Sequence, residues 1–222
     1  MKRFFALFLG ICLLFGVSHA LTLEDYMIHM VPTSTQLSPD LLKRLIASYK
    51  ETGSASHVVN LYRDTSSLLQ YEENNYAFLQ LSDQGYVSSK MWQFNDSTQV
   101  YGFSSWVCGT MCDGWWRIQT TGGKTIPFPK VEISDFFDKE KLEADGLTSD
   151  SLANRFEMIF LHCEFSRGDS VHIYCDTERY LEKERKDEYS KYFKGNRVSL
   201  LPIDGEFKIV CVKRDDRFNE IH

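Results

Sequence analysis

Residues 76–120 read YAFLQLSDQGYVSSKMWQFNDSTQVYGFSSWVCGTMCDGWWRIQT, and this stretch decides the fold class. Aromatic and β-branched residues fill 76–81, 86–94, 99–107 and 115–120, with Ser, Asp, Gly and Asn gathered between them. The first kind of side chain suits a pleated, half-buried surface, and the second tolerates tight reversals of the backbone. Four consecutive strands with short turns predict an antiparallel meander.

On the N-terminal side, Thr22-Leu23-Glu24-Asp25 has the form of a helix capping box. Leu23, Met27 and Met30 follow on one helical face, and Pro32 is expected to end the run. A second helix is bounded by Ser38 as N-cap, Pro39 in the first turn and Gly53 at the end, with Leu41, Leu42, Leu45, Ile46 and Tyr49 in one stripe. On the C-terminal side, Gly122-Gly123 marks a turn, Pro127 and Pro129 break the pattern, and 134–153 reads as short charged helical pieces. Strands are expected at 156–165 and 171–176, then a solvent-facing helix rich in Glu and Lys at 180–193. The last two strands, 198–202 and 207–213, meet across Asp204-Gly205. The predicted fold is therefore α+β: a largely antiparallel β-sheet of about seven to nine strands, N-terminal helices, and one acidic/basic surface helix near the C-terminus. Residues 21–222 are expected to form a single domain.

Residues 1–20 set the compartment. Lys2 and Arg3 precede an apolar segment, and Ser18 and Ala20 supply the small residues of a cleavage site, so 1–20 reads as a secretory signal peptide. The apolar run falls short of the roughly 20 residues a spanning helix needs, and Ile11 before Cys12 does not suit a lipoprotein signal. The expected location is the periplasm or cell surface, with no transmembrane span after signal removal. Loss of Lys2 and Arg3 takes the formal charge from −6 by two to −8. That balance argues against nucleic acid and anionic membrane surfaces as partners. Five cysteines remain, Cys108, Cys112, Cys163, Cys175 and Cys211, an odd number for an oxidising compartment.

Five short segments occur in a telling order: Tyr76-Ala77-Phe78-Leu79-Gln80-Leu81-Ser82, Val107-Cys108-Gly109 with Asp113, Asp135-Phe136-Phe137, Tyr180-Leu181, and Asp204-Gly205-Glu206-Phe207. In this order they resemble a Bacteroidales-restricted family of secreted domains of unknown function. The resemblance implies a compartment and an architecture, and no catalytic residues.

Three constellations are candidates for chemistry. Cys108 and Cys112 flank a Gly-containing turn, where a local disulfide is possible; the alternatives are unpaired thiols or partners elsewhere. Trp115, Trp116 and Arg117, with Trp92 and Trp106 nearby in sequence, are candidates for glycan or partner contact, although neighbouring strand residues point to opposite faces. In the hairpin around Gly168, the apolar residues share one face only if paired residue numbers add to an even total, which requires a three- or five-residue loop. Cys163 and Cys175 then point into the core, and His162, Glu164 and His172 share the other face, read first as ordinary polar residues on a solvated or helix-covered surface and, as the alternative, within reach of one zinc ion. No hydrolase or nucleotide signature occurs. The expected function is a secreted, non-enzymatic domain that binds a protein or other extracytoplasmic partner; the alternatives are a metal-dependent enzyme and a glycan-binding module.

Overall fold

A computed structural model describes residues 21–95, 98–120, 123–124 and 126–215. The expected signal peptide at 1–20 and Gly122 of the expected turn lie outside the described residues.

Helix α1 (Leu23–Ser34) opens with the capping box: Asp25 N–H donates to the Thr22 hydroxyl at 3.0 Å, and Thr22 N–H donates to the Asp25 carboxylate at 3.3 Å. Pro32 does not end the run as expected but sits inside the last turn. The Thr33 and Thr35 hydroxyls donate to the carbonyls of Met30 and Val31 at 2.7 and 2.8 Å, giving carbonyls near the helix end side-chain donors. Helix α2 (Pro39–Thr52) has its N-cap at Ser38, and Gly53 closes it in the left-handed conformation, φ 66°.

Six strands follow: β1 (Ser56–Val59), β2 (Thr65–Glu72), β3 (Tyr76–Gln80), β4 (Gly85–Asn95), β5 (Thr98–Cys108) and β6 (Cys112–Thr120). They pair in sequence order as an antiparallel meander. Helices α3 (Lys139–Ala144) and α4 (Ser149–Ala153) lead to β7 (Leu161–Phe165) and β8 (Val171–Cys175). The expected strand at 156–165 is thus confined to its second half; Phe160 N–H is held by the Thr177 hydroxyl at 2.9 Å just before β7 begins. The expected helix over 180–193 is broken into α5 (Thr177–Tyr180) and α6 (Lys183–Tyr189), followed by a 3-10 turn at Ser190–Tyr192. Its charged middle is exposed, whereas Tyr189, Tyr192 and Phe193 turn into the core and anchor the end. Strands β9 (Arg197–Ile203) and β10 (Glu206–Lys213) complete a second antiparallel sheet, ordered β10-β9-β8-β7. Among the described residues, ten strands in two antiparallel sheets, with two N-terminal helices and helical segments before β9, make the α+β fold expected.

The period-2 alternation of strands gives the six-stranded sheet two buried faces. Odd-numbered residues such as Leu79, Val87, Tyr101 and Phe103 pack under α1 and α2, against Leu23, Met27, Leu42 and Leu45. Even-numbered residues such as Tyr76, Trp92, Val100 and Ile118 meet the second sheet and its helices through Phe165, Ile173, Val198 and Phe207.

Strand β7 makes the junction. Its odd residues turn their backbone N–H and C=O away from β8, leaving an unpaired sheet edge that must find partners. The Ser104 hydroxyl on β5 donates to the Cys163 carbonyl at 2.5 Å, and the Phe165 N–H donates to the Ser88 hydroxyl on β4 at 3.2 Å. Between these strands, a Cβ on Gly102 would stand 2.7 Å from the Phe165 ring, so only glycine admits this approach. The Lys90 amine donates to the Arg167 carbonyl at 2.8 Å and the Trp92 indole to the Asp169 carbonyl at 3.2 Å, pinning the β7–β8 turn to the same face. One sheet thus stands on the other along β7.

Candidate functional site

Where the second sheet stands on the first, the angle between them forms a cleft of about 500 Å³. Its floor is three aromatic side chains from β3, β4 and β5. Tyr86 and Trp106 are direct cross-strand partners, and Phe78 lies diagonal to Tyr86. Their rings lie 5.8–6.1 Å apart and within 25° of parallel. Phe78 and Tyr86 are half-buried, and Trp106 is 3% exposed. The far wall carries Glu164 from β7, with Asp176 and Arg179 just after β8, and Asp83 stands at the rim.

The β5–β6 turn forms the remaining side. Cys108 and Cys112 are the last pair of that ladder, their Cα atoms are 4.0 Å apart, and a disulfide joins them. The turn is tied down on both flanks: Cys108 N–H donates to the Gln84 carbonyl at 2.7 Å, and Cys112 N–H donates to the Asp176 carboxylate at 2.7 Å. Asp176 is 1% exposed and lies 4.0 Å from the Arg179 guanidinium.

The hairpin register follows the even total: Phe165 pairs with Val171 across a five-residue loop. Cys163 and Cys175 are buried in the core as free thiols. Burial pushes the Cys175 thiol up to about 11 and raises Cys163 well above the ordinary thiol range. Glu164 stands directly opposite His172, and His162 opposite Tyr174, so the expected zinc candidates do share a face. That face is not solvated at His162, which is 0% exposed and flanked by Trp106 (5.9 Å, 26°) and Tyr174 (4.9 Å, 10°). His162 Nε2 lies 3.6 Å from Glu164, whereas His172 Nδ1 meets the Ser199 hydroxyl on β9 at 3.0 Å. Among the described residues, the side chains that gather with His162 at ligand spacing are Cys112 and Asp176, all three buried and within 4.8 Å of one another.

Trp115 and Trp116 point to opposite faces, as adjacent strand residues must. Trp115 is 44% exposed beside Phe103 on the helix side, Trp116 packs against the inter-sheet core, and Arg117 is exposed on the side of Trp115. None of the three lines the cleft. Cleft residues that sequence reading missed include Phe78, Tyr86, Asp83, Asp176 and Arg179. A signal for the first two existed: Phe78, Tyr86 and Trp106 are all even-numbered in a tight meander, which puts them on one face. Nothing local marks Asp176 or Arg179.

The chain belongs to a family described as protein of unknown function (DUF3256), whose profile matches residues 19–212. No functionally curated protein matches it. In three dimensions it is similar to a domain of an uncharacterized protein from Porphyromonas gingivalis W83. The TM-score is 0.65 at 18% identity, covering 85% of this chain and 97% of the other. That likeness concerns the fold alone.

Proposed function

For a chain of this family we propose an exported binding domain that holds a basic segment of an extracytoplasmic partner protein in the inter-sheet cleft. Export rests on the signal-type pattern of residues 1–20. The observation that carries the binding reading is the cleft itself, whose near-parallel Phe78, Tyr86 and Trp106 floor faces Asp83, Glu164 and Asp176 with Arg179 as the one opposing charge. Aromatic faces attract cations, and carboxylates on the wall and rim add to that attraction. A Lys or Arg side chain of a partner satisfies both, its alkyl stem lying on the rings and its head among the carboxylates.

The site also offers an aromatic platform with carboxylates, which is what a neutral sugar ring would use, so the test separates the two. Protein lacking residues 1–20 is titrated with Lys/Arg-containing peptides, their Glu-substituted counterparts and neutral oligosaccharides, and read by indole and amide NMR shifts. Basic peptides are expected to move the Trp106 indole and the amides of 108–112, with affinity that falls as salt rises. Tyr86→Ala is expected to weaken binding by about 1 kcal/mol, roughly fivefold. Shifts with sugars alone would replace this reading by a glycan module, and no shift at the cleft with any peptide would overturn it.

A further inference from the structure

We infer that the Cys108–Cys112 disulfide covers a latent metal site, which reduction opens to a zinc-class divalent cation bound by Cys112, His162 and Asp176, with Cys108 as fourth ligand. It does not rest on the basic-segment reading, although Cys108, Cys112 and Asp176 also line the cleft.

The three inner residues come from different parts of the chain: Cys112 begins β6, His162 lies on β7, and Asp176 follows β8. Their ligand atoms lie within 4.8 Å of one another, and the residues are 3%, 0% and 1% exposed. The standing of β7 on the first sheet brings them together. Each is already oriented. The imidazole of His162 is flanked by the parallel rings of Trp106 and Tyr174, so its nitrogens can be approached only along the ring edge, where the lone pair lies. One Asp176 oxygen accepts the Cys112 N–H at 2.7 Å, which fixes the carboxylate beside the sulfur of the same residue. Sulfur, nitrogen and carboxylate oxygen are the donor set of zinc sites.

Ligands about 2.0–2.3 Å from a tetrahedral zinc stand roughly 3.3–3.8 Å apart. The present ligand atoms lie within 4.8 Å of one another, so the widest pair has at most about an ångström to close on filling. The Cys112 sulfur is held by its bond to Cys108, and a disulfide sulfur is a poor ligand compared with a thiolate. Reduction removes both obstacles. A dithiol reductant supplies two electrons and two protons: the S–S bond breaks, two thiols form, and the reductant becomes its own disulfide. The cation then displaces the two thiol protons to water and takes both thiolates. The separation of four residues that permits the disulfide leaves Cys108 beside the site as the fourth donor.

The test uses protein lacking residues 1–20 in a Cys211→Ser background, oxidised and reduced, titrated with Co²⁺ and then Zn²⁺. Reduced protein is expected to bind one Co²⁺ per chain with a thiolate charge-transfer band and tetrahedral visible bands, and Zn²⁺ should displace it. Oxidised protein should show neither band. Cys112→Ser and His162→Gln should each lower zinc affinity by at least about 100-fold, above the loss typical of removing an outer hydrogen-bond partner. Cys108→Ser should keep a single-thiolate site of weaker affinity. The comparison of oxidised with reduced protein needs no variant, so a variant that fails to fold does not decide the matter. Absence of the thiolate band on reduction, equal binding by the oxidised form, or an unchanged band in Cys112→Ser would each overturn the inference.

Discussion

Replacing Ser104 with alanine removes one hydroxyl and should loosen the junction between the two sheets. Ser104 and Cys163 are both 0% exposed, and the hydroxyl donates to the Cys163 carbonyl at 2.5 Å. Among the described residues no other strand pairs with that side of β7, and the close approach at Gly102 leaves little room for water to substitute. A buried carbonyl stripped of its donor costs about 1–3 kcal/mol. For a domain of this size that is about 2–4 °C in Tm per kcal/mol. Ser88→Ala strips the acceptor from Phe165 N–H and should fall in the same range. Because both serines hold one five-residue strand, the double variant should cost less than the sum, by about 0.5–1 kcal/mol. Ser105→Ala, one residue along on the helix-facing side, is the control and should stay within about 0.5 kcal/mol of wild type. Urea unfolding followed by tryptophan fluorescence measures each value, with the slope expected to stay constant. A Ser104→Ala protein as stable as the Ser105→Ala control, at unchanged slope, would refute the idea that side-chain hydroxyls hold the β7 edge.

Thiol titration should find three free thiols in denatured protein lacking residues 1–20 and five after reduction, in keeping with one disulfide and free Cys163, Cys175 and Cys211. In the native state at pH 8, Cys163 and Cys175 should stay unreactive, since burial both blocks access and raises their thiols, Cys175 to about 11; rapid labelling of either would count against the packing of β7 and β8. Lys90 is buried where its amine reaches the Arg167 carbonyl and the Asn75 side chain, and desolvation lowers its pKa below the ordinary lysine value. Lys90→Met should cost about 1–3 kcal/mol by leaving those two oxygens without their donor. The sign of the pH effect follows from the lowered value: the unfolded chain holds this proton more tightly, so the native state gains stability as pH rises from the lowered pKa toward 10.5. Urea melts at pH 8 and pH 10 should show the gap between wild type and Lys90→Met widening with pH, and a narrowing gap would contradict it.

Much of the architecture is carried by neighbours in the chain. The caps of α1 and α2, the left-handed Gly53 and the turn at Asp204-Gly205 (φ 55° and 80°) are short-range features, readable from residue type and spacing. The alternation in β7 and β8 is equally local, and burial of one apolar face was enough to require an odd-length loop of three or five residues; the structure has five, between Phe165 and Val171. Other segments resisted. Strand β2 hides its period because a bulge between Leu68 and Gln70 shifts the register and because Ser66 and Ser67 face inward, Ser66 donating to the Leu81 carbonyl at 2.7 Å. Strand β1 is a four-residue edge with Val59 exposed, too short to show a pattern. The charged run before Tyr189 has helical spacing throughout, yet Leu181 leaves the helical conformation and the core captures Tyr192 and Phe193 instead.

Residue type and spacing were enough for α1, α2, the β3–β6 meander and the alternation of β7 and β8, because period, caps and turns act over a few residues. How one sheet stands on the other is visible in the folded molecule alone. That contact depends on Ser88, Gly102 and Ser104 meeting a strand about 60 to 80 residues further along, and small polar residues carry no periodic signal of their own. The cleft, the burial of His162 and its meeting with Cys112 and Asp176 all follow from that one junction.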